Sequence, residues 1–326
     1  LDIDIQWCYP ETDTSYVSCH LSPEGIRQAL HSCPQRVTAV YVTSPDYLGH
    51  MLDIRGIAEI CHQAGALLLV DNAHGAYLRF LPQSCHPMEL GADICCDSAH
   101  KTLGVLTGGA YLHISHAAPE WLAQQAKASM SLFGSSSPSY LILQSLDAAN
   151  DRMARFRDDL ADLLPKAAAL KRRLSDRGYM LTGEEPLKVT VCPKSFGYTG
   201  TEIAATLEEN GAFPEFYDPD HVVLMLSPWN SDDDLVRLEQ TLCSIPQRTP
   251  IILTPPPVPH PVRVMTPRQA LFAVSERLPL EDCCGRISAA AAISCPPAIP
   301  LVVCGERIDQ QVIACLRYYG VSACMV

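Results

Sequence analysis

The sequence predicts an α/β fold: a mainly parallel sheet with helices on both faces, then a small α/β domain and a C-terminal α/β tail. Three observations predict it. Extended runs alternate with helical patterns between residues 22 and 114. The chain has 326 residues, 48% of them hydrophobic, enough to bury a sizeable core and to form more than one domain. A run of prolines over 254–261 interrupts any regular element and sets the last segment apart.

Ser22-Pro23-Glu24 opens a helix with a capping hydroxyl and proline at its first position, and Ile26, Ala29 and Leu30 follow at helical spacing. Residues 37–43 (VTAVYVT) form a β-run that stops at Ser44-Pro45. A second helix over 54–64 ends at Gly65. The unbroken apolar run 66–70, closed by Asp71, reads as a strand covered on both faces. Residues 93–96 and 109–114 supply two more strands, so residues 1–150 are expected to form the large domain. The span 151–250 is expected to hold connecting helices and the small domain, with strands at 187–192 and 222–226 and helices at 199–210 and 232–243. The span 251–326 is expected to hold the linker and a C-terminal domain, with a further proline-rich segment at Cys295-Pro296-Pro297.

Net charge is −12 and the 24 Lys and Arg residues never form a run, which argues against nucleic acid or an anionic membrane as partner. No apolar stretch is long enough to span a bilayer, and Asp2, Asp4, Glu11 and Asp13 do not suit a signal peptide, so a cytoplasmic protein is expected. Fifteen cysteines contain no Cys-x-x-Cys pair, and no His-x-x-x-His pair accompanies them, so no metal site is expected. Cys95 and Cys96 read as core residues of a buried strand, and His113 and His116 as ordinary strand-end histidines.

In open α/β sheets, ligands bind beyond the carboxyl ends of the strands. Ser44, Asp71 to His74 and Ser98 to Lys101 occupy those positions. A lysine there, near a carboxylate and hydroxyls, suits Schiff-base chemistry with a carbonyl cofactor. Spacing alone does not separate this from a solvated loop lysine and a capping Asp71.

The deciding feature is a series of blocks in order along nearly the whole chain. They include Thr43-Ser44-Pro45-Asp46-Tyr47-Leu48-Gly49, Val70-Asp71-Asn72-Ala73-His74-Gly75-Ala76, Ser98-Ala99-His100-Lys101-Thr102-Leu103, Ser136-Ser137-Pro138-Ser139-Tyr140, Met265-Thr266-Pro267-Arg268 and Gly305-Glu306-Arg307-Ile308. In these blocks the sequence resembles the bacterial ornithine/lysine/arginine decarboxylases, pyridoxal-phosphate enzymes with the aspartate aminotransferase type of fold (fold type I). The resemblance implies decarboxylation of a basic amino acid to its amine and CO2, a place in amino acid metabolism and polyamine biosynthesis, pyridoxal 5'-phosphate as cofactor, and a homodimer or larger homo-oligomer.

By position, Lys101 resembles the lysine that carries the cofactor, and Asp71 the carboxylate that pairs with its ring nitrogen. Ala73 corresponds to the residue whose methyl lies on the ring. Ser98 and His100 correspond to phosphate ligands, and His100 is counted with Lys101 and Asp71 in the catalytic set. His74 either contacts the cofactor or buttresses its turn. Ser136 and Ser137 either reach a phosphate across a dimer interface or cap the helix after Pro138. Glu215 and Asp218 are candidates for the distal cation of the substrate, against the plainer reading of solvated carboxylates.

The chain departs from the family at Asn72, where Glu is usual, at Tyr77 in place of His, at Gly104 in place of Pro, and at Ala298 in place of Gly. Family members also carry an upstream region with a phosphate loop and a ring-stacking histidine, so the sheet is expected to be N-terminally truncated. Two other outcomes follow from these departures: a non-catalytic or partner-dependent homologue, or another reaction on the same cofactor, such as transamination.

Overall fold

The computed structural model describes residues 3–9, 20–290 and 300–326; Cys295, Pro296, Pro297 and Ala298 lie outside the described residues. The first helix, α1 (Pro23–Ser32), starts where the Ser22 hydroxyl accepts the Gly25 amide and Pro23 needs no donor of its own. Then come β1 (Ala39–Thr43), α2 (Ile54–Gln63), β2 (Leu67–Asp71), α3 (Pro87–Leu90), β3 (Ile94–Asp97), α4 (Ala99–Thr102) and β4 (Tyr111–Ile114). They form one sheet in the order β1-β2-β3-β4, the first three strands parallel.

β4 runs antiparallel to β3. The link between them holds only the single-turn α4 and a turn at Gly108-Gly109, too little helix to carry the chain back for a parallel strand.

Register decides which side chains share a face. Val42, Val70 and Cys95 align across the strands and are buried with Leu68 and residues of α1 and α2. The alternate set, Tyr41, Leu69, Asp71, Cys96 and Leu112, is half-buried or exposed. The expected covering of β2 on both faces is therefore met on one face only, and Cys96 is exposed rather than a core residue. Among the described residues, α1 to α3 cover the first face, and the second is left half-open.

Three helices follow: α5 (Glu120–Ser131), α6 (Tyr140–Met153) and α7 (Phe156–Arg177). α5 buries none of its residues, and Leu132, Phe133 and Tyr140 beside it are exposed. A second sheet unit comprises β5 (Met180–Thr182), β6 (Lys188–Cys192), α8 (Gly200–Glu209), β7 (Phe216–Tyr217), β8 (Val222–Met225) and α9 (Asp232–Ser244), where the small domain was expected. Its sheet is antiparallel in the order β5-β6-β8-β7. α8 and α9 each begin with a reciprocal capping box, Thr199 with Glu202 and Ser231 with Asp234.

The largest core joins these parts, running from Tyr77, Ala99 and Leu103 through Phe156, Leu160 and Leu170 of α7 to Val189 and Val222. The C-terminal segment has its own core, with α10 (Pro267–Leu271), β9 (Arg277–Pro279), α11 (Gln310–Tyr318) and β10 (Ala323–Met325) around Leu280, Ile308, Val312 and Leu316. The prolines of 254–261 form no regular element. No helix among the described residues is long and apolar enough to cross a membrane.

Leu160 is fully buried in the largest of these cores. Leu160→Ala is expected to lower unfolding stability by about 2–5 kcal/mol. Urea titration should show a lower midpoint with an unchanged slope; an unchanged midpoint would mean that the site tolerates the cavity.

Candidate active site

The carboxyl ends of β1, β2 and β3 place three loops side by side. The Asp71 carboxylate, at the end of β2, accepts the Ala73 amide (3.0 Å) and the Tyr41 hydroxyl (3.1 Å). It is half-buried, and it caps no helix. Tyr41 holds its proton strongly, because burial and then the Asp71 charge push the phenol upward.

β3 ends in Asp97 and hands over to α4, whose N-cap residue is Ser98. The Ser98 hydroxyl makes no capping hydrogen bond, so it stays available to a ligand. His100 donates from Nδ1 to the Gly109 carbonyl (3.1 Å), which fixes the ring and leaves Nε2 out of that contact. Lys101 follows, with a side chain 21% exposed rather than solvated.

Lys101 Nζ contacts His74 Nε2, lies 3.6 Å from the Glu215 carboxylate and sits 5.5 Å from the centre of the Tyr47 ring. His74 is buried, packed edge-on against Tyr47, and 2.8 Å from the ammonium of Lys188 through Nδ1. Burial, with Lys188, Lys101 and His100 adding repulsion, pushes the His74 imidazole down to about 2. His74 is therefore a neutral ring.

Ala73 lies half-buried between Asp71 and His74. Lys101, His74 and Glu215 are brought together directly, while Asp71, Ser98 and His100 stand at the same sheet edge. Ser136 is not brought there: it is exposed in the loop between α5 and α6, and the cap of α6 is Ser139, which accepts the Ile142 amide. The capping role expected for Ser136 or Ser137 thus falls one residue past Pro138. The resemblance assigned Ser136 across a dimer interface, and a single chain does not place it at the pocket.

Of the two candidate carboxylates, only Glu215 reaches this group, 3.6 Å from Lys101 Nζ and 3.8 Å from His74 Nε2. Asp218 is fully buried and accepts the amides of Asp220 and His221 (both 2.7 Å), besides lying 3.3 Å from the His221 ring. Ser44 is also structural, accepting the Leu52 amide (3.1 Å) through its hydroxyl.

Several contributors were not read from the sequence. Tyr41 lies in a strand with no motif, and Tyr47, although inside the Thr43–Gly49 block, was given no role there. Lys188 is 1% exposed at the head of the apolar run 188–192, and its burial could be suspected only from Glu185 three residues earlier, 3.0 Å away. A second polar cluster lies behind Asn72, where the buried Asp97 carboxylate accepts Asn72 Nδ2 (2.7 Å), His86 Nε2 (3.0 Å) and His113 Nε2 (2.8 Å). His113 is therefore more than a strand-end residue. Burial opposes the ionisation of Asp97, but hydrogen bonds from His113, His86 and Asn72 outweigh it and hold the carboxyl below its ordinary range.

His86, Asp97 and His113 are close enough to share a cation. The Nδ1 of His86 already accepts the Met88 amide (3.3 Å), which leaves its proton on Nε2 pointing at Asp97. That tautomer makes the cluster a hydrogen-bond hub.

Residues 14–191 match the family described as Orn/Lys/Arg decarboxylase, major domain, and residues 255–324 match its C-terminal domain. The chain belongs to the Orn/Lys/Arg decarboxylase family. It is 31% identical to an arginine decarboxylase of Bacillus subtilis over 331 aligned residues, covering 93% of this chain and 66% of that protein. An arginine decarboxylase of Halalkalibacterium halodurans is 28% identical, with 95% and 67% covered. The chain thus spans about two thirds of the length of these relatives. Among solved structures, the lysine decarboxylase LdcF of Francisella novicida aligns with a TM-score of 0.74 at 16% identity, covering 98% of this chain and 60% of that one. The constitutive lysine decarboxylase of E. coli aligns with a TM-score of 0.67 at 17% identity, covering 93% and 58%. These likenesses confirm fold type I.

Asp218 has a stability signature that a substrate contact would lack. Burial works against charging His221, but hydrogen bonds to Asp218 and Cys192 outweigh it and raise the imidazole from 6.5 to about 10. A raised folded value means that the stabilisation is complete below 6.5 and is lost as the pH climbs towards 10. Asp218→Asn should therefore cost more stability at pH near 6 than at pH near 10 in urea titrations; an equal loss at both would remove the charge pairing from the account.

Proposed function

We propose that this chain forms the cofactor-bearing part of a pyridoxal-phosphate-dependent decarboxylase that converts lysine, arginine or ornithine to the amine and CO2. The observation that supports it most directly is the placement of Lys101, partly buried, in contact with neutral His74 and beside Glu215, at the strand end next to Asp71.

The residues fit the cofactor. An amine, a half-buried carboxylate with a small methyl two residues after it, and a hydroxyl and an imidazole near the same strand ends are the donor set it requires. When bound, pyridoxal phosphate supplies an electrophilic carbonyl and a protonated ring that accepts the electron pair left by a departing carboxylate.

Lys101 would hold the cofactor through its side-chain amine. Asp71 would pair with the ring nitrogen, and the hydrogen bonds from Ala73 and Tyr41 fix its carboxylate for that task. Ser98 and His100 would hold the phosphate, and Ala73 and His74 would line the space beside the ring. Glu215 binds the distal cation of the substrate, since it is the partly exposed acid at the mouth of the pocket and Asp218 is turned away.

The half-open sheet face and the remote Ser136 favour a second reading, in which the site is completed by further chain or by another copy. The exposed apolar residues about α5 support a homo-oligomer as the working form.

Incubation with pyridoxal phosphate, borohydride reduction and peptide mapping tests the proposal. Stoichiometric labelling at Lys101 is expected, and CO2 release from a basic amino acid should follow. Labelling scattered over surface lysines would overturn the catalytic reading for this chain, and keto acid production would turn it to transamination. Glu215→Gln is expected to lower kcat/KM for basic substrates by about ten- to a hundredfold, as loss of a charged hydrogen bond does, while Lys101 labelling persists.

A further inference from the structure

Lys188 is a buried cation for which the proposed chemistry has no use. It stands at the head of β6, 1% exposed, paired at 3.0 Å with Glu185, itself 1% exposed. An ammonium has three donors. Around Lys188 Nζ stand two hydrogen-bond acceptors, the Asp46 carbonyl at 3.0 Å and His74 Nδ1 at 2.8 Å, and the Glu185 carboxylate as its ion-pair partner.

The His74 contact has a chemical consequence. A nitrogen facing an ammonium must present its lone pair, so His74 Nδ1 carries no proton. A neutral imidazole has one N–H, and in His74 it must then lie on Nε2, the atom that contacts Lys101 Nζ. An ammonium at Lys101 would meet an N–H there, donor against donor, whereas a free amine offers the lone pair that this N–H needs.

We infer that Lys188 is a positioning residue that, through the tautomer it imposes on His74, favours the free-amine form of Lys101. The free amine is the form that attacks a carbonyl.

The groups facing Lys101 can be weighed one by one. Glu215, 3.6 Å away, favours the ammonium, but its side chain is 33% exposed and solvent screens it. The Tyr47 ring offers a cation only a weak hold at 5.5 Å. His100 is the next residue on α4 and spends its Nδ1 proton on Gly109. His74 is the buried member of the set, and protonation to imidazolium does not relieve the conflict, because burial and the neighbouring lysines disfavour it. Glu185 is the ion-pair partner of Lys188; burial pushes its carboxyl upward, and Lys188 beside it opposes that.

The test uses the chain without cofactor, so its failure and the failure of the decarboxylase reading are distinguishable. Histidine 15N shifts in the intact chain should show His74 protonated at Nε2 and unprotonated at Nδ1 from about pH 6 to 9. A proton on Nδ1 would overturn the inference, and this measurement requires no variant. Competitive labelling with acetic anhydride, read at Lys101 by peptide mass, then gives its reactivity against pH. In the paired variant Lys188→Met with Glu185→Gln, labelling of Lys101 near neutral pH should fall roughly tenfold, with the same limit at high pH. A folded double variant with an unshifted profile would overturn it as well.

Discussion

The ammonium of Lys188 is the interaction on which the rest of the site depends. It belongs to the second sheet unit, yet it is held by the Asp46 carbonyl after β1 and by His74 after β2. A buried charge is stable only when each of its donors is matched, and here the matching acceptors come from separate parts of the fold. The requirement ties the two sheets together at the point where the pocket lies. His50 reinforces the tie, reaching Asp46 with one ring nitrogen (3.0 Å) and the Thr182 hydroxyl on β5 with the other (2.8 Å).

The seam itself is backbone against backbone. The Gly49 carbonyl accepts the amides of both Glu184 and Glu185 at 2.9 Å, and a Cβ on Gly183 would stand 2.3 Å from the Leu48 carbonyl. Gly183 also has a φ of +82°, where other residues are strained. So close an approach leaves little freedom for one unit to slide past the other. Glu215, carried on the loop into β7, is therefore delivered to Lys101 at a fixed distance by an element more than a hundred positions away in sequence.

This explains what could be read from the sequence and what could not. Asp71 closes β2, and Ser98, His100 and Lys101 come within four residues of the end of β3, so local pattern gave their place at the sheet edge, while their roles came from the resemblance alone. The strands were legible for the same reason: 39–43 falls within the expected run, and 67–71 and 94–97 run one residue past the expected 66–70 and 93–96. Lys188 was not legible: it opens a strand, where lysines ordinarily meet water, and only tertiary packing buries it. Glu215 and Asp218 look alike in sequence, and one reaches Lys101 while the other caps its own turn, because β7 is only two residues long and the turn after it folds back on Asp218. Ser136 was legible as a motif but not as a place.

The substitution at Asn72 follows the same logic of matched donors. Asn72 is fully buried and gives Nδ2 to the Asp97 carboxylate, leaving its own Oδ1 without a partner. A Glu at this position would set a second negative charge against Asp97 in the interior, where His86 and His113 already satisfy one carboxylate and, among the described residues, no Lys or Arg pairs with it. The amide supplies a donor where a carboxylate would repel. In this chain the loss of the family's charge therefore costs one unmatched carbonyl rather than a buried pair of like charges, and it leaves Asp71, on the opposite face of the sheet, with the hydrogen bonds that orient it.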